Sequence, residues 1–140
     1  MADTFEIEIA TPERLLAHER AVRSQIPAAD GYIGVLPDHT ALLSELGIGA
    51  LTYTTPDDHR YSIAICGGFL EINNNVVRVL TDVAEKGHEI DVTKAEQALK
   101  HAQDAMFNPA LGIDIASALI AARHAQARID AARKELNKEE

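Results

Sequence analysis

The sequence predicts a mixed fold, β first and α second: a small antiparallel β-sandwich over residues 1–86, then an antiparallel helical hairpin over 87–140. Three observations predict it. From Phe5 to about Ala84 apolar residues recur with a period of two, the spacing of a strand buried on one face. Turn-forming clusters cut that pattern at intervals that suit a meandering sheet. After Gly87 the period changes to steps of three and four, which line apolar residues along one side of a helix.

Each element has its own signal. Phe5, Ile7 and Ile9 alternate with Glu6 and Glu8; Tyr61, Ile63 and Ile65 with Ser62 and Ala64; Val77 and Val79 with Val76, Arg78 and Leu80. Thr11-Pro12, Ala29-Asp30-Gly31, Pro56-Asp57-Asp58 and Asn73-Asn74-Asn75 supply the fixed or positive φ angles that reversals need. Two sheets closing on one core is the economical packing for such strands.

The first helix presents Ala95, Ala98, Leu99, Ala102, Ala105 and Met106 on one face. The second presents Ile115, Ala118, Leu119, Ala122, Ala125, Ile129, Ala132 and Leu136. Thr93-Lys94-Ala95-Glu96 has the form of a capping box, and Asp91 competes with it as N-cap. Asn108-Pro109 and Gly112 break the pattern, because proline inside a helix loses a hydrogen bond and clashes; Asp114 then caps the second helix. Glu96 with Lys100, and Asp130 with Lys134, are i,i+4 pairs in the favourable orientation. An alanine seam removes little apolar surface from water, so the hairpin is expected to be releasable. Opened, it would extend the molecule by several tens of Å, at ~1.5 Å per helical residue.

Composition narrows the function. With 46% apolar residues in 140 the chain can bury a core, and its apolar runs are too short to cross a bilayer. The amino end lacks the basic-then-apolar run of a secretory signal and Cys66 is the single cysteine, so a reducing, cytoplasmic setting is expected. A net charge of -9 argues against nucleic acid as a partner. That charge is uneven: residues 1–85 carry 5 Lys/Arg against 13 Asp/Glu, residues 86–140 carry 8 against 9.

Three segments carry a resemblance. Gly31-Tyr32-Ile33-Gly34-Val35-Leu36-Pro37-Asp38-His39-Thr40-Ala41-Leu42-Leu43 resembles the G-x-x-G-[ILV]-[LY]-P-x-H-x-P-L segment of ATP synthase epsilon subunits, and Gly67-Gly68-Phe69-Leu70-Glu71-Ile72 is similar to their G-G-[FI]-L-E-V segment. Ala84-Glu85, leading into Ile90-Asp91-Val92-Thr93-Lys94-Ala95, looks like the junction at which the family's sandwich hands over to its helices. Ala41 stands where the family usually has Pro, and Asp38 where Gly is usual, which suggests a locally altered turn.

The resemblance implies a non-catalytic central-stalk subunit with a sandwich of about ten strands. Its implied partners are the gamma subunit, the c-ring and the catalytic beta and alpha subunits, with no membrane insertion of its own. It would couple proton flow to ATP synthesis and restrain hydrolysis through its helices, on the cytoplasmic face of the plasma or inner membrane. The loop holding Tyr32 would face the c-ring, with His39 nearby. Arg123, Arg128, Arg133, Lys134 and Lys138 make the second helix basic, suited to an acidic segment of the beta subunit and sensitive to salt.

Some members bind ATP through an I-D-x-x-R-A motif, which here reads Ile90-Asp91-Val92-Thr93-Lys94-Ala95. Lys94 keeps the charge but loses the planar fork. His101 and His124 stand where ATP-binding members have Arg, while Arg128 keeps its charge. These exchanges predict weak ATP binding or none, with Asp91 serving only as a cap and Lys94 as a solvated side chain. No other cofactor is implied.

The six histidines, at 18, 39, 59, 88, 101 and 124, show neither H-x-H nor H-E-x-x-H spacing, so no metal site is expected. His39 is expected to bond loop backbone; His101 and His124 could approach across the hairpin. Ser44 and Cys66 sit in no nucleophile motif, and the phosphate-loop pattern is missing. Two other classes compete with the stalk subunit: a free ligand sensor whose sandwich carries a gated hairpin, and a cupin-like metalloenzyme using His39 and His59.

Overall fold

A computed structural model describes residues 2–108, 112 and 114–136. Ten strands come first: β1 (Phe5–Ala10), β2 (Leu15–Ala21), β3 (Arg23–Ala28), β4 (Gly31–Val35), β5 (Leu42–Glu45), β6 (Ile48–Thr54), β7 (Arg60–Cys66), β8 (Phe69–Asn73), β9 (Val76–Leu80) and β10 (Val83–Lys86). A single 3-10 turn (Gly87–Glu89) leads into α1 (Val92–Phe107) and α2 (Ile115–Leu136).

The strands form two five-stranded sheets, ordered β2-β1-β9-β8-β5 and β10-β7-β6-β3-β4. The expected antiparallel meander holds with one correction: β1 and β9 run parallel, Glu6 opposite Val76 through Ala10 opposite Leu80. Between β2 and β8 the chain crosses to the second sheet twice, laying β5 in the first sheet on the way, and β9 then runs alongside β1 in the same direction.

Alternation closes the core. Phe5, Ile7, Ile9, Leu70, Ile72, Val77 and Val79 from one sheet meet Ile26, Val35, Leu51, Ile63 and Ile65 from the other, in a single cluster that contains no helix residue. Turn chemistry matches the signals. Asn74 and Asn75 have φ of 51° and 62°, the two positive angles of a tight hairpin turn between β8 and β9. Asp38, where the related segment has Gly, takes φ of 63°, an angle that Asp tolerates better than most residues. Its backbone N–H donates to Asn75 Oδ1 at 2.8 Å, so the turn keeps a glycine-like angle and is tied to the β8–β9 turn. Gly31–Gly34, expected as a loop, belongs to the edge strand β4.

β7 departs from simple alternation, because Ser62 and Ala64 are as buried as Ile63 and Ile65. The outer face of β6 and β7 is covered by α2. Ala50 and Ala64 share a second buried cluster with Ile90, Ala95, Ala127, Ile129, Ala131 and Ala132. Ala95, near the start of α1, thus packs with Ile129 and Ala132, near the end of α2, as an antiparallel hairpin requires.

The seam is narrower than the sequence suggested. Ala95, Ala102, Ala105, Ala118, Ala122, Ala125, Ile129 and Ala132 are buried, whereas Ala98, Ile115 and Leu119 are exposed. Helices that approach closely through alanines leave bulkier residues at the rim. A second α2 stripe, Ala127 and Ala131, is the one the sequence reading missed. Pro109, Lys138 and the side chain of Leu136 lie outside the described residues.

Asp91, not Thr93, caps α1: its carboxylate accepts from the Lys94 N–H at 3.2 Å. Asp114 accepts from the Ser117 N–H at 3.3 Å and caps α2. Asp130, expected to pair with Lys134, accepts instead from Gln126 Nε2 at 2.9 Å.

These two layers of burial separate under mutation. Ile65→Ala removes a core side chain and should destabilise the whole molecule by about 2–5 kcal/mol. Ala64→Leu enlarges the contact beneath α2 and should cost about 1–3 kcal/mol. In hydrogen exchange, Ala64→Leu should expose α2 amides while the strand amides of β1 and β9 keep their protection.

Candidate functional site

Two surfaces hold the side chains that could serve function: the seat of the hairpin on β6 and β7, and the outer face of the first sheet. The seat is polar at its edges. Arg128, half-buried on α2, pairs with Glu85 of β10, Nε lying 2.8 Å from Oε1 and Nη2 3.4 Å from Oε2. Arg60, where β7 begins, donates from Nε and Nη2 to the Lys134 carbonyl at 3.2 and 2.8 Å and so satisfies an end group of α2. Glu135 accepts from the Ser62 N–H at 3.3 Å, and its Oε2 lies 3.3 Å from His88 Nδ1. The Lys134 ammonium sits 5.3 Å from the centre of the Tyr32 ring, within cation–π range.

Gly87 explains why the connector can lie so close. A Cβ there would stand 2.7 Å from the Ala131 carbonyl oxygen and 2.8 Å from Glu135 Oε2, so any larger residue would push α2 away. Beside it a cavity of about 290 Å³ is lined by Tyr53, Tyr61, Lys86, His88 and Glu135, among others. Tyr61 stacks on Tyr53 with ring centres 5.2 Å apart. Burial, and then the Glu19 carboxylate that its hydroxyl bonds, push the Tyr53 phenol well up.

The residues proposed for nucleotide binding are dispersed in role. Ile90 and Ala95 are buried in the helix–sheet cluster, and Asp91 is the cap. Lys94 and His101 are exposed on α1, His124 is half-buried on α2, and Arg128 is engaged by Glu85. Of these seven, Ile90 lines a cavity of about 500 Å³ at the hairpin base.

Among the proposed partner contacts, Tyr32 accepts a hydrogen bond from the Ala50 N–H at 3.0 Å and shares the lining of a shallow cavity with Arg123. His39 Nδ1 lies 2.7 Å from the Thr40 carbonyl, the backbone bond expected of it. Arg123 and Arg133 are exposed. Among the described residues no group of three or more His, Cys, Asp or Glu is placed to hold a metal ion.

The outer face of the first sheet is graded along the strands. Its middle row is charged: Arg78 reaches Glu71 at 3.3 Å and Glu8 at 3.9 Å, while Glu6 pairs with His18. The row at one end is apolar. Leu15 lies opposite Ala10, Ala10 opposite Leu80 and Leu80 opposite Phe69; Leu15, Leu80 and Phe69 are each more than half exposed.

With this geometry in place, comparison with known proteins decides the family. A family profile described as "ATP synthase, Delta/Epsilon chain, beta-sandwich domain" matches residues 4–87. The chain belongs to the ATP synthase delta/epsilon family. A relative named ATP synthase epsilon chain, from Solibacter usitatus, is 52% identical over 134 residues, 96% of this chain and 99% of its own length. Another of that name, from Koribacter versatilis, is 44% identical over 103 residues, covering 74% and 72%. In fold, the chain is similar to a chain of the Euglena gracilis mitochondrial ATP synthase, with a TM-score of 0.82, 24% identity and coverage of 95% and 83%. A weaker likeness, TM-score 0.54 at 14% identity, links it to a chain of the Tetrahymena thermophila mitochondrial enzyme. The profile stops at Gly87, where the connector passes beneath α2. As an epsilon-type chain of ATP synthase, the protein is a subunit of a membrane-bound complex, and no helix among its described residues is long and apolar enough to cross a membrane.

Sequence reasoning missed Arg60, Ser62, His88 and Glu135 as a group. The available signal was small residues at the outward positions of β7, where a solvated face would carry charges.

The Glu6–His18 pair has a definite pH signature. The hydrogen bond with His18 lowers the Glu6 carboxyl below its ordinary 4.5, and the same bond raises His18 above 6.5. A lowered acid stabilises above its unfolded value and a raised base below its own, so the contribution is full between those two values. It falls away as pH drops through the lowered Glu6 value and as it rises through the raised His18 value. The melting-temperature difference between the native chain and His18→Gln should therefore peak at about pH 5.5 and shrink on both sides.

Proposed function

We propose that this chain is a non-catalytic subunit of the rotary ATP synthase stalk, with the sandwich as its anchor and the hairpin as a movable restraint on ATP hydrolysis. One observation carries the reading: the sandwich core closes without a single helix residue, while the hairpin is held in a separate cluster on the outer face. An element attached in this way can leave without unfolding the body. The relatives named ATP synthase epsilon chain support this reading over a free sensor or a cupin-like metalloenzyme.

The sandwich would dock on the gamma subunit through the Leu15–Leu80–Phe69 row, with Tyr32 and His39 as candidate contacts toward the c-ring. Such an exposed apolar row beside a charged one suits a protein interface. Arg123 and Arg133 would meet an acidic segment of the beta subunit once α2 lifts, and Arg128 would join them after parting from Glu85. The subunit would then work peripherally on the cytoplasmic face of the membrane. ATP is expected to bind weakly or not at all, since Lys94 lacks the guanidinium fork and Arg128 already has an anion.

Assembled enzyme carrying a chain truncated after Gly87 should hydrolyse ATP faster than enzyme with the full chain; equal rates would leave only the coupling role. Phe69→Glu and Leu80→Glu should weaken capture of the gamma subunit while the melting temperature of the free chain stays within a few degrees. Isothermal titration with Mg-ATP should give no saturable heat at cellular concentrations, and a saturable isotherm would overturn the reading of residues 90–128.

A further inference from the structure

The alanine seam is weak glue, yet α2 lies firmly along β6 and β7, and the polar groups at its last turn account for that. Four groups from three elements converge there. Arg60 of β7 donates twice to the Lys134 carbonyl, the Ser62 N–H of β7 reaches Glu135 Oε1, and His88 of the connector faces Glu135 Oε2 at 3.3 Å. Glu135 is the centre of the arrangement: its side chain is 13% exposed and its Oε2 is buried.

A carboxylate withdrawn from water is costly unless its oxygens are partnered. Seating α2 imposes that withdrawal on Glu135, and lifting α2 returns it to water. The partners of Glu135 therefore weigh directly on the equilibrium between seated and lifted hairpin. His88 is the adjustable one, because it adds a positive charge only when protonated. Other charged and titratable groups surround the pair, several of them held by partners of their own. Lys86 of β10 and His18 of β2 line the adjoining cavity, Glu19 of β2 accepts from Tyr53 of β6, Tyr61 of β7 stacks on Tyr53, and Glu89 is held by Arg14 at 3.1 Å. His59, just before β7, packs on Tyr61.

We propose that Glu135, Arg60, Ser62 and His88 form a clasp that holds the hairpin on the sandwich, and that the proton on His88 tightens it. The clasp rests on the reading of the hairpin as movable. Protonated His88 keeps α2 seated; its loss of the proton leaves the buried carboxylate with neutral donors and Arg60's indirect support, and α2 lifts more often. Acidification would thus hold the restraint against the body and away from its target.

Hydrogen exchange of the full chain tests it, as protection factors corrected for the intrinsic rate at each pH. Amides of α2 between 125 and 135 should be roughly twofold to fivefold better protected at pH 6 than at pH 8, on the scale of a partly exposed ion pair. Glu135→Gln should lower protection at pH 6 and abolish the pH dependence, and His88→Gln should hold α2 at its pH 8 level throughout, while β7 and β9 amides remain unchanged. Should Glu135→Gln disturb the strands as well, His88→Gln carries the test, because the His88 side chain is 60% exposed and no core depends on it. Two results overturn the clasp. If α2 opens independently of the strands but neither variant shifts it, the clasp alone fails. If α2 is as protected as the strands in every form, the movable hairpin fails with it.

Discussion

Two strands of the second sheet, β6 and β7, are buried on both faces, and the rest of the architecture depends on that constraint. The inward side chains of β6 and β7, Leu51, Ile63 and Ile65, close the sandwich core. Their outward neighbours, Ala50, Ser62 and Ala64, are equally shielded, but by α2. Small residues on the outer face let the helix backbone come close, and small residues on α2 do the same from its side. The pairing of Ala50 and Ala64 with Ala127 and Ala131 fixes where the helix lies, which in turn demands glycine at position 87.

The energetic consequence is an asymmetry between two interfaces. Large aliphatic and aromatic side chains fill the core, each worth about 1.5–3 kcal/mol when removed from water. Methyl groups dominate the helix seat, so its apolar contribution per residue is a fraction of that, and directional contacts such as Arg128–Glu85 and Arg60 with the Lys134 carbonyl set the geometry. An interface built from methyls and a few polar contacts opens at low cost and closes in one register. Both properties suit the movable hairpin proposed above.

Much of the fold was legible because single residues carried strong local signals. The alternation in Phe5-Glu6-Ile7-Glu8-Ile9 pointed to β1, the asparagines at 73–75 pointed to a turn, and Asp91 and Asp114 marked where helices begin. The parallel pairing of β1 with β9 was not legible, since no local pattern encodes which distant strand becomes a neighbour. Nor was the second stripe of α2. Ala127 and Ala131 are helix formers that would serve equally well in water, and alanine reports burial poorly because it has so little to bury. The clasp residues were hidden for a related reason: Arg60, His88 and Glu135 are ordinary surface residue types whose meeting requires the hairpin to be seated first.

The same reasoning bears on how this hairpin is held in place. A helix pair with a weak apolar seam needs an additional tether, and a bound nucleotide could supply one by bridging cations on the two helices. Here the tether is internal. Glu85 holds Arg128, Nη2 donating to Oε2 at 3.4 Å and Nε lying 2.8 Å from Oε1, and a phosphate group would have to displace it. Lys94, exposed on α1, offers a point charge on a flexible stem in place of a preorganised fork. Under the clasp proposed above, side chains of the sandwich and connector do for α2 what a bridging ligand would otherwise have to do.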